Sequence, residues 1–507
     1  MSKKLEQNIQ MIRDMFYESS DLRIKEVPLG GRKAPQLCVI HIATLTDHDI
    51  VHRDVINPIV VWARPQQLGG LRHRDQVEEL KRRVLTAQSV KTVETDTELA
   101  GHLLEGNTVI LIAGHTSALS VESRGWPGRG IQEPSVEITT RGPRLAFTET
   151  IKDNVALLRR RIKDPALTIE QLHVGDKSKT DVRLCYLRDL APKRLVDELR
   201  RRVKAVQTDM ILDSGQLENL IRDHPISLFT TMRSTERPDS VASELNDGRI
   251  ALLLDGTPFA LIAPSTFAAL FVSAEDHYVG FPASSVLRII RFVGFGLSVV
   301  LTPFYVALTT FHQELVPLPL LLNVAATQTG VPFPVVVSAL IAEMVIEVLR
   351  EAGVRLPQQF GPAVSIVGAL VLGQAAVQAG FVPPGLVIVV TTAAIASFSV
   401  PRTEVIISFR LIRVALLLMA SVLGFMGLVL GTVLVVYHLA SLKSLGMPYL
   451  ALYTPGRVSY LAEDYVLAPQ RIKRPVRPTA AANRVRSGPP PELLDPTSGP
   501  HRKGTKR

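Results

Sequence analysis

Residues 287–442 constrain this chain more than any other stretch. Leu, Val, Ile, Ala and Phe dominate there, broken by Gly and Pro, whereas the sequence before them is polar and charged. Such a contrast marks a membrane domain that the other parts serve. Residues 289–310 are an apolar run, about 33 Å long as a helix and enough for a hydrocarbon core of about 30 Å. Residues 363–380 and 384–400 are two further spans near the lower length limit. Pro383-Pro384 separates them, so they form a tight hairpin if both cross. Residues 410–440 would measure about 46 Å as one helix. That segment must tilt, protrude or break near Gly424, Gly427 and Gly431.

Residues 331–350 suit lipid poorly. Val331-Pro332-Phe333-Pro334 opens a helical pattern, and Pro is tolerated at a helix start because its missing N–H had no partner there. Glu343, Glu347 and Glu351 then repeat at i+4, on one face. An acidic side chain at the centre of a lipid-facing span costs on the order of 3 kcal/mol. The segment is therefore expected as an interfacial or re-entrant elbow, its acidic face turned to water inside an assembly. Gln374 and Gln378, again at i+4, extend this to five pore or gating candidates. A ring of carboxylates, one per subunit, favours cations. The local alternative is that Arg350 pairs with Glu347 or Glu351 and the glutamines bond across packed helices.

Charge sets the orientation. Lys+Arg number 57 against 47 Asp+Glu, a net charge of +10. Beside spanning segments, such an excess points to an anionic membrane surface more than to nucleic acid. The first residues lack an apolar signal region, and Arg471, Lys473, Arg474, Arg477, Arg484 and Arg486 crowd the tail. The positive-inside rule keeps both termini in the cytoplasm, which requires an even number of crossings. Four spans plus the elbow satisfy it.

The polar half reads as α/β. Apolar residues at Leu5, Ile9, Ile12 and Phe16 have helical spacing, and Gln36 to Ala43 reads as a buried strand. Helical patterns follow near 47–62 and 75–87, then a hairpin over 108–122. The order recurs with a strand at Leu184 to Leu187, a helix at 193–206 and a hairpin over 249–263, so two similar units are expected at about 35–125 and 180–265. Cys38 and Cys185 fall in the two matching strands and read as buried, reduced thiols. Between the units, Ile151 to Ile162 reads as a basic helix with a solvated face; aromatic residues that would stack bases are not interleaved with its charges. His48 and His52 have a spacing that can hold a metal, but surface histidines are commoner. Walker, dinucleotide and nucleophile-elbow patterns are not evident, so neither an enzyme nor a bound cofactor is expected.

Several stretches resemble the A subunit of bacterial spore germinant receptors, the GerA family. They include residues 129–134 (Arg-Gly-Ile-Gln-Glu-Pro), Arg141-Gly142-Pro143-Arg144 with Phe147-Thr148-Glu149, and Asn154 to Ile162. Thr235-Glu236-Arg237-Pro238-Asp239, Asp255-Gly256-Thr257-Pro258, residues 349–357 and residues 366–371 continue the series. The match runs in order over about 35–455. It departs at Leu145-Ala146-Phe147, where the family often has Glu-Gly-Phe, and at Ile42-Ala43-Thr44-Leu45.

The resemblance implies an α+β membrane protein, with two cytosolic α/β subdomains followed by a helical membrane domain in the inner membrane of the spore. It implies a permease-like B subunit and a lipoprotein C subunit as partners. It also implies a homo-oligomer, a pentamer, forming a nutrient-gated channel for monovalent cations; a non-conducting scaffold is the alternative. Arg141, Arg144, Glu236, Arg237 and Asp239 are the scaffold or subunit-interface candidates, with ion pairs inside one domain as the plainer reading. The expected domains are an extension at 1–34, subdomains at 35–150 and 151–285, the membrane domain at 286–445, and a basic, Pro-rich tail at 446–507, disordered after about 470.

Overall fold

The computed structural model describes residues 1–28, 36–62, 77–78, 80–85, 89–125, 133–355, 371 and 373–450. The chain divides into two units. One comprises Met1–Pro225 with Met232–Pro264, the other Ile226–Thr231 with Ser265–Gln470.

The first unit is a duplication. Its first half runs α1 (Leu5–Met15), β1 (Leu22–Pro28), β2 (Gln36–Ile42), helical turns over 48–62 and 80–84, β3 (Val90–Val93), α2 (Asp96–Leu104), β4 (Thr108–Ile112) and β5 (Ala118–Val121). The second half repeats the plan: α3 (Ile151–Arg161), β6 (Leu167–Val174), β7 (Thr180–Leu187), α4 (Lys193–Lys204), α5 (Ser214–Ile221), β8 (Arg233–Thr235), α6 (Pro238–Asn246), β9 (Ile250–Leu254) and β10 (Ala260–Ala263). The sheet orders are β1-β2-β4-β5-β3 and β6-β7-β9-β10-β8, the same topology twice. Each repeat begins one helix and one strand earlier than the sequence pattern placed it. Residues 1–28 are accordingly no extension; α1 and β1 belong to the first sheet and its core. The two cysteines sit on equivalent central strands but differ in register. Cys38 pairs with Leu111, three residues before the Gly114 turn, and Cys185 with Ala251, five before Gly256.

Alternation along β2 explains the layering. Cys38, Ile40 and Ile42 face Leu5, Ile9, Ile12 and Phe16 of the α1 segment, together with Leu99 and Leu103 of α2. Leu37 and Val39 face the opposite layer, with Val55, Ile59 and Trp62. A strand buried on both faces loses the polar alternation of a half-exposed one. Full burial of each of these side chains stabilises by roughly 1.5–3 kcal/mol.

One ion pair joins the halves. Arg159 of α3 is fully buried, contrary to the solvated face expected of that helix. Its Nε and Nη2 donate to both carboxylate oxygens of Asp21, each at 2.9 Å, and Nη2 also reaches Ser19 Oγ at 2.8 Å. Asp21 lies in the turn between α1 and β1. In the same turn, Ser20 N donates to the Ile169 carbonyl of β6, and Ile169 N donates to Ser19 Oγ. Burial alone would raise the Asp21 carboxyl. The Arg159 charge and the hydrogen bonds from Arg159 and Ser19 outweigh it and hold the group below its ordinary 3.8.

In the second unit, α7 (Phe281–Phe311), α8 (Leu318–Gln328), α9 (Val335–Arg355), α10 (Pro384–Ser397) and α11 (Thr403–Ser441) form an apolar bundle. Among the described residues two helices, Pro282–Phe311 and Val405–Ser441, have the length and apolarity to cross a membrane. The second is not straight. Gly424 has φ 60° and ψ −139°, a conformation that excludes residues with a Cβ. Beyond it the chain doubles back. A Cβ on Gly427 would collide with the Met419 backbone, and one on Gly431 with the Leu416 side chain. Near the ends, His438 lies 3.1 Å from Ser227 Oγ, while the Ser408 hydroxyl donates to the Leu228 carbonyl. In a straight helix residues 408 and 438 would be about 45 Å apart. These pairs are symmetric about Gly424, so α11 is an antiparallel hairpin with arms of about 31 and 25 Å. Of the three glycines singled out in the sequence, Gly424 makes the break, and Gly427 and Gly431 let the arms approach.

The other expected spans fare differently. Half of 363–380, residues 363–370 and 372, lies outside the described residues. Over 384–400 the helix stops at Ser397, about 21 Å long and short of a 30 Å core.

These contacts make three outcomes testable. Arg159→Ala leaves Asp21 buried and uncompensated, so thermal unfolding of the solubilised chain should reveal a loss of about 3–5 kcal/mol. Because Asp21 is depressed in the fold, its contribution is complete above 3.8 and drains away as pH falls through the native value; Asp21→Asn should remove that part of the acid limb of a stability-against-pH curve. Gly424→Ala meets both the left-handed φ and His312 Cε1 at 2.8 Å; expected is loss of the folded chain from the membrane fraction, with Gly296→Ala, which meets nothing within 4 Å, as the control.

Candidate functional site

The expected acidic helix is α9. Pro334 opens it, its carbonyl accepting from Val337 N and Ser338 N. The helix is not isolated from the bundle. It packs against α7, α10 and α11, because its acidic face meets basic residues of the first α11 arm. Glu343 Oε2 is 2.7 Å from Arg413 Nη2, with side-chain exposures of 8% and 4%. Thr302 of α7 donates to Glu343 Oε1 at 3.2 Å, and Arg413 Nη1 donates to the Ser298 carbonyl at 3.1 Å. One turn along, Glu347 pairs with Arg410. The two pairs step in opposite directions, so α9 runs antiparallel to the first arm. By the same reasoning α7 runs parallel to it: Phe295 lies against Phe409, and Phe311 against Gly424.

Each feature of the cluster has a cause. Separations of i,i+4 on α9 and i,i+3 on α11 put both charge pairs on facing stripes. Glu343, Thr302 and Arg413 lie near the middle of their helices, where an unpaired charge in an apolar surround is most expensive. Satisfaction is incomplete. Arg413 Nε and Arg350 Nη1 are buried without a hydrogen-bond partner among the described residues. Arg350 stacks over the Phe398 ring at 4.8 Å, and Glu347 pairs instead with Arg410. Glu351, Gln374 and Gln378 are exposed.

A second ionic group anchors the start of α7. Asp276 receives Arg288 Nε at 2.9 Å and Arg291 Nη1 at 2.8 Å. Arg291 also donates to the Phe271 carbonyl at 3.1 Å. The Phe271 and Phe292 rings stack beside it at 4.1 Å. Two arginines near the start of an apolar helix are thus buried and neutralised locally.

The scaffold candidates separate into two kinds. Arg237 is fully buried. It holds Asp239 through two hydrogen bonds and donates to the carbonyls of Glu137 and Pro143 and to Thr139 Oγ1. The Glu236 carboxylate accepts from Ser135 Oγ and from the backbone N–H groups of Val136 and Glu137. Together these residues tie the segment between the repeats to the second sheet, within one chain. Arg141 and Arg144 are exposed, Arg144 lying 3.6 Å from Glu133. His48 and His52 are exposed and belong to no metal-competent group among the described residues. His41, whose ring lies 6.1 Å from that of His48, is pushed down to about 4 by burial, with the His48 and Arg23 charges assisting.

Sequence reasoning missed Arg410, Arg413, Arg159 and Asp276. A usable signal existed for the first two: Phe409-Arg410-Leu411-Ile412-Arg413 puts two cations into a strongly apolar helix, which is a prompt to look for acidic partners.

Comparison with known proteins agrees with the resemblance. The family model described as Bacillus/Clostridium GerA spore germination protein matches residues 10–479. Spore germination protein KA of Bacillus subtilis is 42% identical over 90% of this chain and 82% of its own length. The uncharacterized membrane protein YfkQ of the same organism is 36% identical over 92% of this chain and 90% of its own. The N-terminal domain of the A subunit of the Bacillus megaterium spore germinant receptor GerK3 aligns at 31% identity and a TM-score of 0.42, over 53% of this chain and 97% of that one. With a family match over nearly its whole length, the chain belongs to the GerA family of spore germination proteins.

Proposed function

We propose that the chain is the A subunit of a nutrient-sensing germinant receptor and forms part of a gated pathway for monovalent cations. It acts as a multi-pass protein of the inner spore membrane, with both termini cytoplasmic. Its partners are a permease-like B subunit and a lipoprotein C subunit, and copies of the chain assemble as a homo-oligomer, a pentamer by family resemblance. The observation that carries this reading is polar chemistry at bundle depth: Glu343 and Glu347 on α9, with Gln374 and Gln378 exposed on an apolar segment. Exposed glutamines in such a segment are poorly suited to lipid and favour a facing subunit or water. The exposed Arg141 and Arg144 are the subunit-interface candidates that remain, since Glu236, Arg237 and Asp239 already have partners within the chain.

A second reading is a non-conducting scaffold. The internal partners of Glu343 favour it, because a carboxylate paired with Arg413 has no need of a permeant ion. The discriminating measurement is nutrient-triggered potassium release from spores carrying Gln374→Leu/Gln378→Leu. Loss of pathway hydrogen bonding worth about 1.4 kcal/mol would slow release about tenfold; release at the wild-type rate, with the variant present in the membrane, favours the scaffold.

A further inference from the structure

We propose that Arg410 and Arg413 are the gate of this pathway, a pair of tethered cations that occupy the carboxylates of α9 until the helices part. The proposal rests on the conducting reading above and assigns its closed state. Three observations support it.

The first is position. The Glu343–Arg413 pair joins α9 to the first arm of the α11 hairpin, with Thr302 and the Ser298 carbonyl of α7 completing the contact. Three helices therefore have to separate before Glu343 can meet an ion. The second is charge. Glu343 and Glu347 face Arg410 and Arg413, and Arg350 adds its field to both Glu343 and Arg413. Counting these five side chains, the cluster is net positive, which repels cations. Withdrawing the first arm removes two positive charges and leaves two carboxylates facing one arginine. The third is the gradient of access. Glu343 is 8% exposed, Glu347 is 47% exposed, and Glu351 is exposed one turn further on. The carboxylates thus form a file that opens at one end and is plugged at the other.

A purely structural ion pair and a gate respond differently to mutation. Removing one partner of a structural pair lowers stability. Removing the cation from a gate also produces conduction without the trigger. Charge reversal separates the two further, because it restores the pair while keeping each helix charged.

The test is potassium release without nutrient, from spores in which the gene for this chain is replaced by variants, with membrane abundance measured in parallel. Wild type should stay silent until nutrient is added. Arg413→Gln should release potassium without nutrient at least about tenfold faster than wild type, on the scale of a typical coupling energy. Arg410→Gln should do the same to a smaller extent. It decides the matter if Arg413→Gln fails to reach the membrane, since the outer pair is more exposed than the inner one and less costly to break. Glu343→Arg/Arg413→Glu should return the spores to silence. If both single variants are present in the membrane and silent without nutrient, while wild type still responds to nutrient, the gate is overturned and the receptor reading stands. If wild type itself fails to restore nutrient-triggered release to a deletion strain, the receptor reading falls and the gate falls with it.

Discussion

A carboxylate in the middle of an apolar bundle has to find a cation, and Glu343 finds Arg413. Much of the second unit follows from that requirement. With Glu347 on Arg410 as the second pair, α9 lies antiparallel to the first arm of α11. Thr302 of α7 completes the coordination of the same carboxylate. The price of the arrangement is that charge sits where hydrocarbon would otherwise pack, and such a pair gives little net stability over well-packed apolar residues. Its value lies in specificity. It fixes which faces of three nearly featureless apolar helices meet.

The first unit solves the same problem outside the apolar bundle. Two copies of one antiparallel sheet topology would be free to dock in many ways through their apolar layers. Arg159 and Asp21 select one way, because a buried guanidinium accepts only a geometry in which its donors are met. The turn that carries Asp21 is itself unusual: Tyr17 and Glu18 both have positive φ, without being glycine. It places Ser19, Ser20 and Asp21 within reach of the second repeat. Arg237 repeats the device for the segment between the repeats, with Asp239 as its counter-ion and two backbone carbonyls as further acceptors.

Legibility in the sequence varied with the range of the interaction. The helix over Leu5–Met15, the buried strand β2, both hairpins and the unevenness of the apolar block could be read from periodicity, because each depends on neighbours a few residues away. The alternation in β1, Leu22-Arg23-Ile24-Lys25, is equally local and marks where the first sheet begins. Arg159 could not be read. Its neighbours Arg160 and Arg161 are exposed, and only a partner 138 residues away in sequence distinguishes it from them. The same holds for Glu343, whose misfit with lipid was evident but whose remedy lay on another helix.

By itself, the sequence determined that a polar α/β region precedes an apolar helical block, that the block contains an acidic helix opened by prolines, and that the long segment over 410–440 has to tilt, protrude or break. These are consequences of period, length and transfer cost, which a linear chain carries in full. Tertiary structure alone decided that the long segment folds back at Gly424, that α9 enters the bundle, and that Arg413 answers Glu343. The physical reason is that desolvation makes a charge expensive without naming its partner. The partner is chosen only when helices distant in sequence bring opposite charges within hydrogen-bond reach.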